Sequence, residues 1–277
     1  MSSSNKYEIK PTQSAELLKE LHILTRDGKM NQDSRRKLKQ VYHLVQFIEP
    51  LIKDVLENQS ELTLVDHGAG KSYLGFILND LVCKLQKKPC HIIGIDIRED
   101  LVKHSKELSQ RLDFSNMQFF QLSVEESLKS THLPNHVDIV TALHACNTAT
   151  DDAIRFALSK NARHIVLVPC CQAEVAGALR ASKGVELKRN TLAEIWRHPI
   201  HTREFGSHIT NVLRCLQLEA HGYNVTVTEL VGWEHSMKNE LIIASKGKDP
   251  KLAMRAREKL NTLLTDLNLE ALKERFA

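Results

Sequence analysis

The chain has 277 residues, of which 42% are hydrophobic and 26% charged, and its formal net charge is +4. This length is enough for one sizeable α/β domain with added helices. Because no apolar run approaches the ~18 residues of a membrane span and the first residues lack the apolar core of a signal peptide, a membrane partner is excluded and a cytoplasmic protein is expected.

Two helices are predicted before the first strand. The first covers 15–24. The second begins at Asp33 or Ser34, either of which can cap it, and repeats apolar residues at helical spacing as far as Val55. Pro50 is expected to kink or divide this second helix. Residues 1–58 are therefore interpreted as an N-terminal helical extension.

From residue 62 onward, short apolar runs alternate with helical patterns. Helices are predicted between the runs, over 72–86, 99–111, 125–130 and 149–159. This alternation is typical of right-handed βαβ crossovers on a parallel sheet. The predicted strands are 62–65, 91–95, 117–122, 137–143 and 164–168.

After residue 171 the order of elements changes. Helices at 173–182, 190–197 and 204–221 precede two strands, 224–231 and 240–245, which are expected to form an antiparallel hairpin. A last helix is predicted over 251–273. Residues 59–248 are interpreted as the main α/β domain, followed by a C-terminal helix in 249–277.

The segment VDHGAGKS, residues 65–72, resembles the end of a phosphate-binding P-loop, but a P-loop needs a glycine where Val65 stands, and Asp66 would repel phosphate. A strand, an acidic glycine turn and a helix fit better, because Gly68 and Gly70 let the backbone approach a ligand. Asp96 ends the second strand, where such folds place the acid that binds ribose. The alternative for Asp66 is a turn acid and for Asp96 a helix N-cap, so each alone is weak evidence; together, in this order, they favour an adenosine ligand.

Three further stretches carry a family resemblance: Leu143 to Asp152, which contains His-Ala-Cys-Asn, then Pro-Cys-Cys-Gln at 169–172, and Glu-His-Ser-Met-Lys-Asn at 234–239. With the predicted strand order, in which the sixth and seventh strands are reversed, they resemble a class I S-adenosylmethionine-dependent methyltransferase: a Rossmann-like, seven-stranded α/β sheet with an antiparallel last strand. The motifs are similar to those of a largely uncharacterised family with HAC, CCQ and EHTPKN-like motifs, distantly related to a eukaryotic tRNA 2′-O-methyltransferase. Asn147 and Ser236-Met237 depart from the pattern, in which Asp and Thr-Pro are expected.

The resemblance implies S-adenosyl-L-methionine as cofactor and assigns residues to its parts. Asp66, Gly68 and Gly70 would lie at its methionine end, and Asp96 would bind the ribose, with Ile97 also among the cofactor-binding residues. Ser123 or Val124 would lie beside the adenine. Leu143 and His144 would line the floor near the sulfonium.

Four residues are candidates for catalysis: His144, Cys146, Cys170 and Cys171. His144 is either a general base or a polar residue of the pocket floor. A zinc site is disfavoured because adjacent cysteines seldom reach one tetrahedral ion, so no metal is predicted. A cytosine-5 methyltransferase thiolate and buried packing cysteines both remain open for the thiols. The six cysteines show no disulfide framework, and free thiols are expected.

The substrate-binding candidates comprise a basic run in the second helix and the residues of the motif loops. Such a run is ordinarily a solvated helix end, but beside a cofactor cleft it would hold a phosphate backbone, and Arg203 and Arg214 could extend it. The mild positive charge is compatible with RNA, without evidence for DNA. The candidates are Arg35, Arg36, Lys37, Lys39, Asn147, Gln172, Glu234, His235, Lys238 and Asn239.

The sequence thus predicts an S-adenosylmethionine-dependent methyltransferase that acts on RNA. Two alternatives stay open: a methyltransferase-fold protein that binds cofactor or RNA without turnover, and a methyltransferase that acts on a protein or small molecule. No sequence feature indicates the oligomeric state.

Overall fold

The fold is that of a computed structural model, which describes residues 9–143, 147–169, 172–189, 191–230 and 240–277. Its strands form one seven-stranded sheet in the order β3-β2-β1-β4-β5-β7-β6. The strands are β1 (Leu62–His67), β2 (Cys90–Asp96), β3 (Met117–Gln121), β4 (Ile139–Leu143), β5 (His164–Val168), β6 (Tyr223–Glu229) and β7 (Glu240–Lys246).

The strand directions confirm the predicted fold class. Neighbouring strands among β1 to β5 pair in parallel, whereas β7 pairs antiparallel with both β5 and β6. The expectation that β6 is also reversed was wrong: β6 runs in the same direction as β1 to β5, because two successive antiparallel pairings restore the original direction. Only β7 therefore runs against the rest of the described sheet.

Helices cover both faces of this sheet. α7 begins where a helix was predicted, and the predicted helix 190–197 is a 3₁₀ segment at Thr191–Trp196. The final helix ends at Asp266 and a 3₁₀ turn follows it. The helices are α1 (Ala15–Glu20), α2 (Gln32–Asn58), α3 (Tyr73–Leu81), α4 (Glu99–Arg111), α5 (Val124–Lys129), α6 (Ala149–Ser159), α7 (Glu174–Arg189), α8 (Pro199–Ala220) and α9 (Pro250–Asp266). No helix in the described part of the chain combines the length and apolar character that a membrane span requires.

Pro50 lies inside α2 and does not divide it, so of the two predicted outcomes, a kink or a division, the division does not occur. A proline inside a helix removes the hydrogen bond to the carbonyl four residues earlier, here that of Gln46. Both Pro50 and Gln46 are exposed, so water can satisfy the freed carbonyl. The opposite face of the helix stays buried through Ile48 and Ile52, and this burial holds the helix together across the proline.

A disulfide joins Cys83, just after α3, to Cys90, the first residue of β2. Both residues are buried in the apolar cluster that packs α1 to α4 against the sheet. The expectation of free thiols was therefore wrong for this pair. Cys215 is a free, half-buried thiol.

Candidate functional site

The carboxyl ends of the parallel strands meet at one edge of the sheet, and β1 lies there between β2 and β4. The chain order reverses at this point, since β2 and β3 extend the sheet on one side of β1 and β4 extends it on the other. Open α/β sheets bind ligands in the crevice at such a switch point. Asp66 near the end of β1 is in register with Gly94 of β2 and Thr141 of β4.

The glycine turn after β1 folds onto the end of β2. Gly68 and Gly70 have φ values of +69° and +59°, a left-handed conformation that favours glycine. The N–H of Ala69 donates to the carbonyl of Ile95 at 2.9 Å, and the N–H of Gly70 donates to Asp96 Oδ2 at 2.7 Å. Because the protein itself uses these two donors, they are not arranged to cradle phosphates. The structure therefore supports the rejection of a P-loop.

Asp66 is buried beneath this turn. Thr141 Oγ1 donates to its Oδ1 at 2.8 Å. Burial raises the pKa of Asp66 to about 7; interactions with Thr141 and Ser72 lower it, and the charge of Asp96 raises it further. A cationic group placed next to Asp66, such as the ammonium of the cofactor's methionine end, would favour the ionised carboxylate. The site thus fits the charge expected at that end.

Asp66→Asn is expected to change how the stability of the cofactor-free chain depends on pH. The folded-state pKa of Asp66, about 7, lies above its ordinary value of 3.8, so the folded chain binds this proton more tightly than the unfolded chain. The resulting stabilisation is complete below about pH 4 and is lost as the pH rises through about 7. Wild type should therefore lose free energy of unfolding relative to the variant across this range, by ~1.4 kcal/mol per unit of pKa difference.

Denaturant unfolding of both chains at several pH values measures this difference. Thr141→Val, made in the wild-type chain, removes the hydroxyl that stabilises the ionised form and raises the pKa of Asp66 further, so the loss of stability should become larger and extend to higher pH. Parallel pH profiles for wild type and Asp66→Asn would contradict the burial-driven pKa of Asp66.

Asp96 is held by Arg98, a residue that the sequence analysis missed. The Arg98 backbone N–H and Nε donate to Oδ1 at 3.0 and 2.9 Å, and Nη2 donates to Oδ2 at 3.0 Å. Burial raises the pKa of Asp96, but the hydrogen bonds from Arg98 and Gly70 outweigh it and hold the pKa below its usual range. Asp96 is therefore ionised at neutral pH.

The hydrogen bonds to Asp96 leave little room for another donor. A carboxylate offers about four lone-pair sites, and four N–H groups, three from Arg98 and one from Gly70, point to them. A ribose hydroxyl can donate to Asp96 only after the Arg98 side chain moves away. That side chain is 59% exposed, so it can move into solvent without disturbing the core.

His67 is a second residue that the sequence analysis missed. Its ring is buried, and neither ring nitrogen has a hydrogen-bond partner among the described residues. Burial, the largest effect, lowers its pKa to about 4, so the imidazole is neutral near pH 7. The ring lies 5.2 Å from that of Phe156, centroid to centroid. The only signal in the sequence was its place beside Asp66 on a strand, where alternate side chains face opposite sides.

Three other predicted cofactor-binding residues, Ile97 and the adenine-side Ser123 and Val124, differ in how exposed they are. Ile97 is 69% exposed directly after Asp96, so it offers apolar surface at the strand ends. Ser123 instead caps α5: its Oγ donates to Glu126 Oε2 at 2.7 Å, and Glu126 completes a capping box. Val124 is the first residue of that helix and is half-buried. Ile97 is thus the most exposed of the three.

The motif loops are described only in part. Leu143 ends β4 and is half-buried. Asn147 has φ +52°, a conformation in which Asn is favoured over most residues, and its Oδ1 accepts from the N–H of Ala173 at 3.2 Å. This bond brings together the chain segments that follow β4 and β5. The predicted residues outside the described part are His144, Cys146, Cys170, Cys171, Glu234, His235, Lys238 and Asn239.

The basic run lies in the first two turns of α2. Arg35, Arg36 and Lys39 are exposed there, and the side chain of Lys37 is outside the described part. A cavity of about 610 Å³ lies beside the run, between α1 and the start of α2, and its lining adds two cations, Lys19 and Arg26.

Hydrogen bonds connect α2 to the segment at the start of α1, and connect α1 in turn to the ends of α3 and α4. Tyr42 of α2 donates to Gln13, Ser14 N–H donates to Asp80 at the end of α3, and Arg111 at the end of α4 donates to Glu20. Because α3 and α4 begin after the carboxyl ends of their strands and run back, their last residues lie toward the opposite edge. A ligand that contacts both the basic run and the glycine turn must therefore be extended.

The two further arginines proposed for this surface differ. Arg203 is exposed and pairs with Glu204, whereas Arg214 is fully buried. The expectation that Arg214 extends a binding surface was wrong, because its guanidinium is bonded inside the protein. Among the residues that the structure describes, no group of three His, Cys, Asp or Glu side chains is placed to hold a metal ion.

Comparison with known proteins gives one family match and several distant relatives. A family model described as a methyltransferase domain matches residues 36–178. The chain is 26% identical over 241 residues to a glutathione S-transferase C-terminal domain-containing protein of Bos taurus, covering 80% of this chain and 35% of that protein. It is 29% identical over 152 residues to the Homo sapiens protein of the same name, covering 54% of this chain and 21% of that protein. The chain thus spans about a third or less of the length of these curated relatives.

Solved structures that match the chain share little sequence with it. Magnesium protoporphyrin IX methyltransferase from Synechocystis with bound S-adenosylmethionine is 14% identical, covers 86% of this chain and 100% of its own, and has a TM-score of 0.46. An rRNA methylase from Streptococcus thermophilus is 9% identical, covers 74% of this chain and 96% of its own, and has a TM-score of 0.42.

Proposed function

Because this chain belongs to the methyltransferase-domain family whose model matches residues 36–178, we propose that it transfers a methyl group from S-adenosylmethionine to RNA. Methyl transfer is the chemistry of this family, and S-adenosylmethionine is the cofactor. When bound, the cofactor supplies a methyl group on a sulfonium, a donor that needs alignment with the acceptor more than covalent help. The task of the chain is to position the two partners and to accept a proton from the acceptor.

The observation that carries the cofactor site is the ionised Asp96 beside the glycine turn at the switch point of the sheet. In the proposed complex, Asp96 accepts hydrogen bonds from the ribose after Arg98 moves away. Gly68 and Gly70 let the backbone approach the cofactor, and Asp66 favours its cationic end. His144, the residue after β4, would take the proton from the acceptor.

RNA as the acceptor rests on the motifs and on charge. The HAC, CCQ and EH-x-x-KN motifs resemble those of a family that is distantly related to a eukaryotic tRNA 2′-O-methyltransferase, and this relationship supports a ribose hydroxyl as the methylated group. The exposed cations of α2 and the neighbouring Lys19 and Arg26 supply a surface for phosphates. That surface lies toward the amino edge of the sheet, whereas the glycine turn lies at the carboxyl edge. An extended polymer can contact both, and a small metabolite cannot. A cytoplasmic location is proposed together with this substrate.

One observation favours a second candidate, a protein that binds the cofactor or RNA without turnover. Asn147 and Ser236-Met237 stand where the family pattern has Asp and Thr-Pro, and these departures fall in the motif loops that would take part in the transfer step. The two candidates differ in a single experiment: incubation with labelled S-adenosylmethionine and, in parallel, deproteinised RNA, protein extract and small metabolites. Label in RNA supports the proposal. Label only in protein or metabolites would overturn RNA as the acceptor, and bound cofactor without transfer would favour the second candidate.

The basic run of α2 gives a prediction on RNA affinity. Arg35→Ala combined with Lys39→Ala is expected to weaken RNA binding and to flatten the log–log dependence of affinity on salt. For a single strand the slope changes by roughly 0.7 per lost phosphate contact, so two lost contacts change it by about 1.4. Binding titrations of labelled RNA at several salt concentrations measure both quantities.

A matched control lies on α9, where Arg255 and Lys259 have the same spacing and are also exposed. The double substitution Arg255→Ala and Lys259→Ala removes the same charge and should leave the salt slope near that of wild type. Equal slopes for both double variants would show that the effect comes from net charge and not from a binding surface on α2.

A further inference from the structure

A buried polar cluster lies behind the motif loops, and it is centred on Arg214 of α8. We call Arg214, Asp151, Asn211 and Gln172 the Arg214 cluster; all four residues are buried. Arg214 Nε donates to Asp151 Oδ1 at 2.6 Å, and its Nη2 donates to Asp151 Oδ2 at 2.9 Å. The planar guanidinium thus forms a bidentate pair that joins α8 to α6.

The same guanidinium reaches the loop after β4. Arg214 Nη2 also donates to the carbonyl of Asn147 at 2.9 Å, and Nη1 donates to Asn211 Oδ1 at 3.2 Å. Asn147 directly follows residues 144–146, which contain His144 and Cys146. One side chain therefore holds the residue that directly follows this motif.

Asn211 connects the cluster to the other two motifs. Its Oδ1 accepts from Gln172 Nε2 at 2.6 Å, and its Nδ2 donates to Glu240 Oε2 at 2.8 Å. Gln172 directly follows Cys170 and Cys171, and Glu240 directly follows the segment 231–239. Three chain segments that carry candidate functional residues are thus each bonded, at a neighbouring residue, to one face of α8.

Burial of this charge pair is not explained by stability alone. Taking an arginine and a carboxylate out of water costs free energy that their attraction repays only with good geometry, and apolar pairs of similar volume are often as stable. What an apolar pair cannot do is donate to the Asn147 carbonyl and to Asn211 in directions set by a rigid, planar group. The cluster is suited to fixing loop geometry.

We propose that Arg214 is a positioning residue for methyl transfer, which holds the loops after β4 and β5 and the start of β7 in the arrangement that the reaction needs. This inference rests on the proposed function, since it assumes that the motif loops contact the acceptor. Arg214 itself touches neither substrate nor cofactor. Its effect is expected on the transfer step and not on cofactor binding.

The test compares Arg214→Met, Arg214→Lys and the double variant Arg214→Met with Asp151→Leu, which removes both charges together. The double variant is expected to keep the wild-type melting temperature and affinity for S-adenosylmethionine, while kcat falls about 100-fold, the effect of a small misplacement in an active site. Arg214→Lys keeps the charge but not the fork of donors, and should restore only part of kcat. A double variant with wild-type kcat would overturn the proposal.

A matched control is the Arg163–Asp54 pair, which is also bidentate, at 2.6 and 3.0 Å, but lies at the start of β5, on the opposite edge of the sheet. Arg163→Met should leave kcat unchanged. A different outcome would also overturn the proposal: kcat, cofactor affinity and melting temperature all fall in the single variants Arg214→Met and Arg214→Lys, and all three recover in the double variant. The cluster would then only support packing.

Hydrogen exchange provides a readout that needs no acceptor. In the double variant, amides of 147–151 and 172–174 should exchange faster than in wild type, whereas Arg163→Met should not change them. Unchanged exchange there would overturn the positioning role. If the wild-type chain transfers no methyl group to RNA, the proposed function fails, and the exchange measurement still decides whether Arg214 holds the loops.

Discussion

Asp96→Ala is expected to weaken binding of S-adenosylmethionine by about 1–3 kcal/mol, the value of charge-assisted hydrogen bonds, which corresponds to a ~5- to 150-fold higher Kd. The carboxylate is ionised and lies at the end of β2, where ribose hydroxyls can donate to it. Asp96→Asn keeps the shape of the side chain but loses the charge, so it should lose less binding free energy than Asp96→Ala. Isothermal titration calorimetry of the cofactor measures both.

Arg98→Ala is the informative control for this prediction. Without cofactor, the Arg98 side chain occupies the carboxylate oxygens of Asp96 that the ribose would use. Removing this side chain should therefore tighten cofactor binding. Weaker binding in Arg98→Ala would mean that the guanidinium itself contacts the cofactor. Tight binding of magnesium-ATP with none of S-adenosylmethionine would contradict the whole cofactor assignment.

Gly206→Ala is expected to destabilise the fold by about 1–3 kcal/mol, as for overpacked interiors. A Cβ at position 206 of α8 would lie 2.6 Å from both Cα and Cβ of Ala176 and 2.7 Å from its backbone nitrogen. Because backbone cannot turn aside like a flexible side chain, α7 and α8 would have to separate. Thermal unfolding should show a lower Tm, by ~2–4 °C per kcal/mol for a chain of this size.

Gly177→Ala is the matched control, on the other helix of the same pair. Gly177 is exposed, and a Cβ there would meet nothing within 4 Å. Alanine in a helix interior is favoured over glycine by roughly 0.5–1 kcal/mol, so this variant should unfold at a higher temperature. Opposite shifts of Tm support the close helix contact, and a rise in both would show that α7 and α8 have room at Gly206.

Short-range patterns were enough to predict the strands in chain order and the positions of Asp66 and Asp96 at strand ends. The apolar run before Asp66, the glycines after it and the acid that ends β2 are local features, so their places at the ends of β1 and β2 follow from the sequence alone. The five parallel strands and the closing hairpin follow in the same way from alternating periodicities. The direction of β6 was missed because it depends on which neighbour it pairs with, and not on its own residues.

Long-range side-chain contacts could not be predicted. Arg214 has the same helical surroundings as a surface cation, and only its contact with Asp151, 63 residues away, shows that it is buried. Arg98 folds back onto Asp96, which depends on a rotamer that no pattern encodes. Cys83 and Cys90 are seven residues apart, a spacing without a known framework, and the turn after α3 brings them together.

The central place of β1 in the sheet affects the order in which the crevice can be assembled. The contact between Gly70 and Asp96 joins residues 26 apart, whereas that between Thr141 and Asp66 joins residues 75 apart. Closing the shorter loop costs less chain entropy, so β1 and β2 are expected to associate early in folding, with the glycine turn already in place. The opposite wall of the crevice appears only when β4 docks. A nascent chain that has not yet emerged beyond residue 143 should therefore be unable to retain the cofactor, which pulse-labelled, stalled translation products can test.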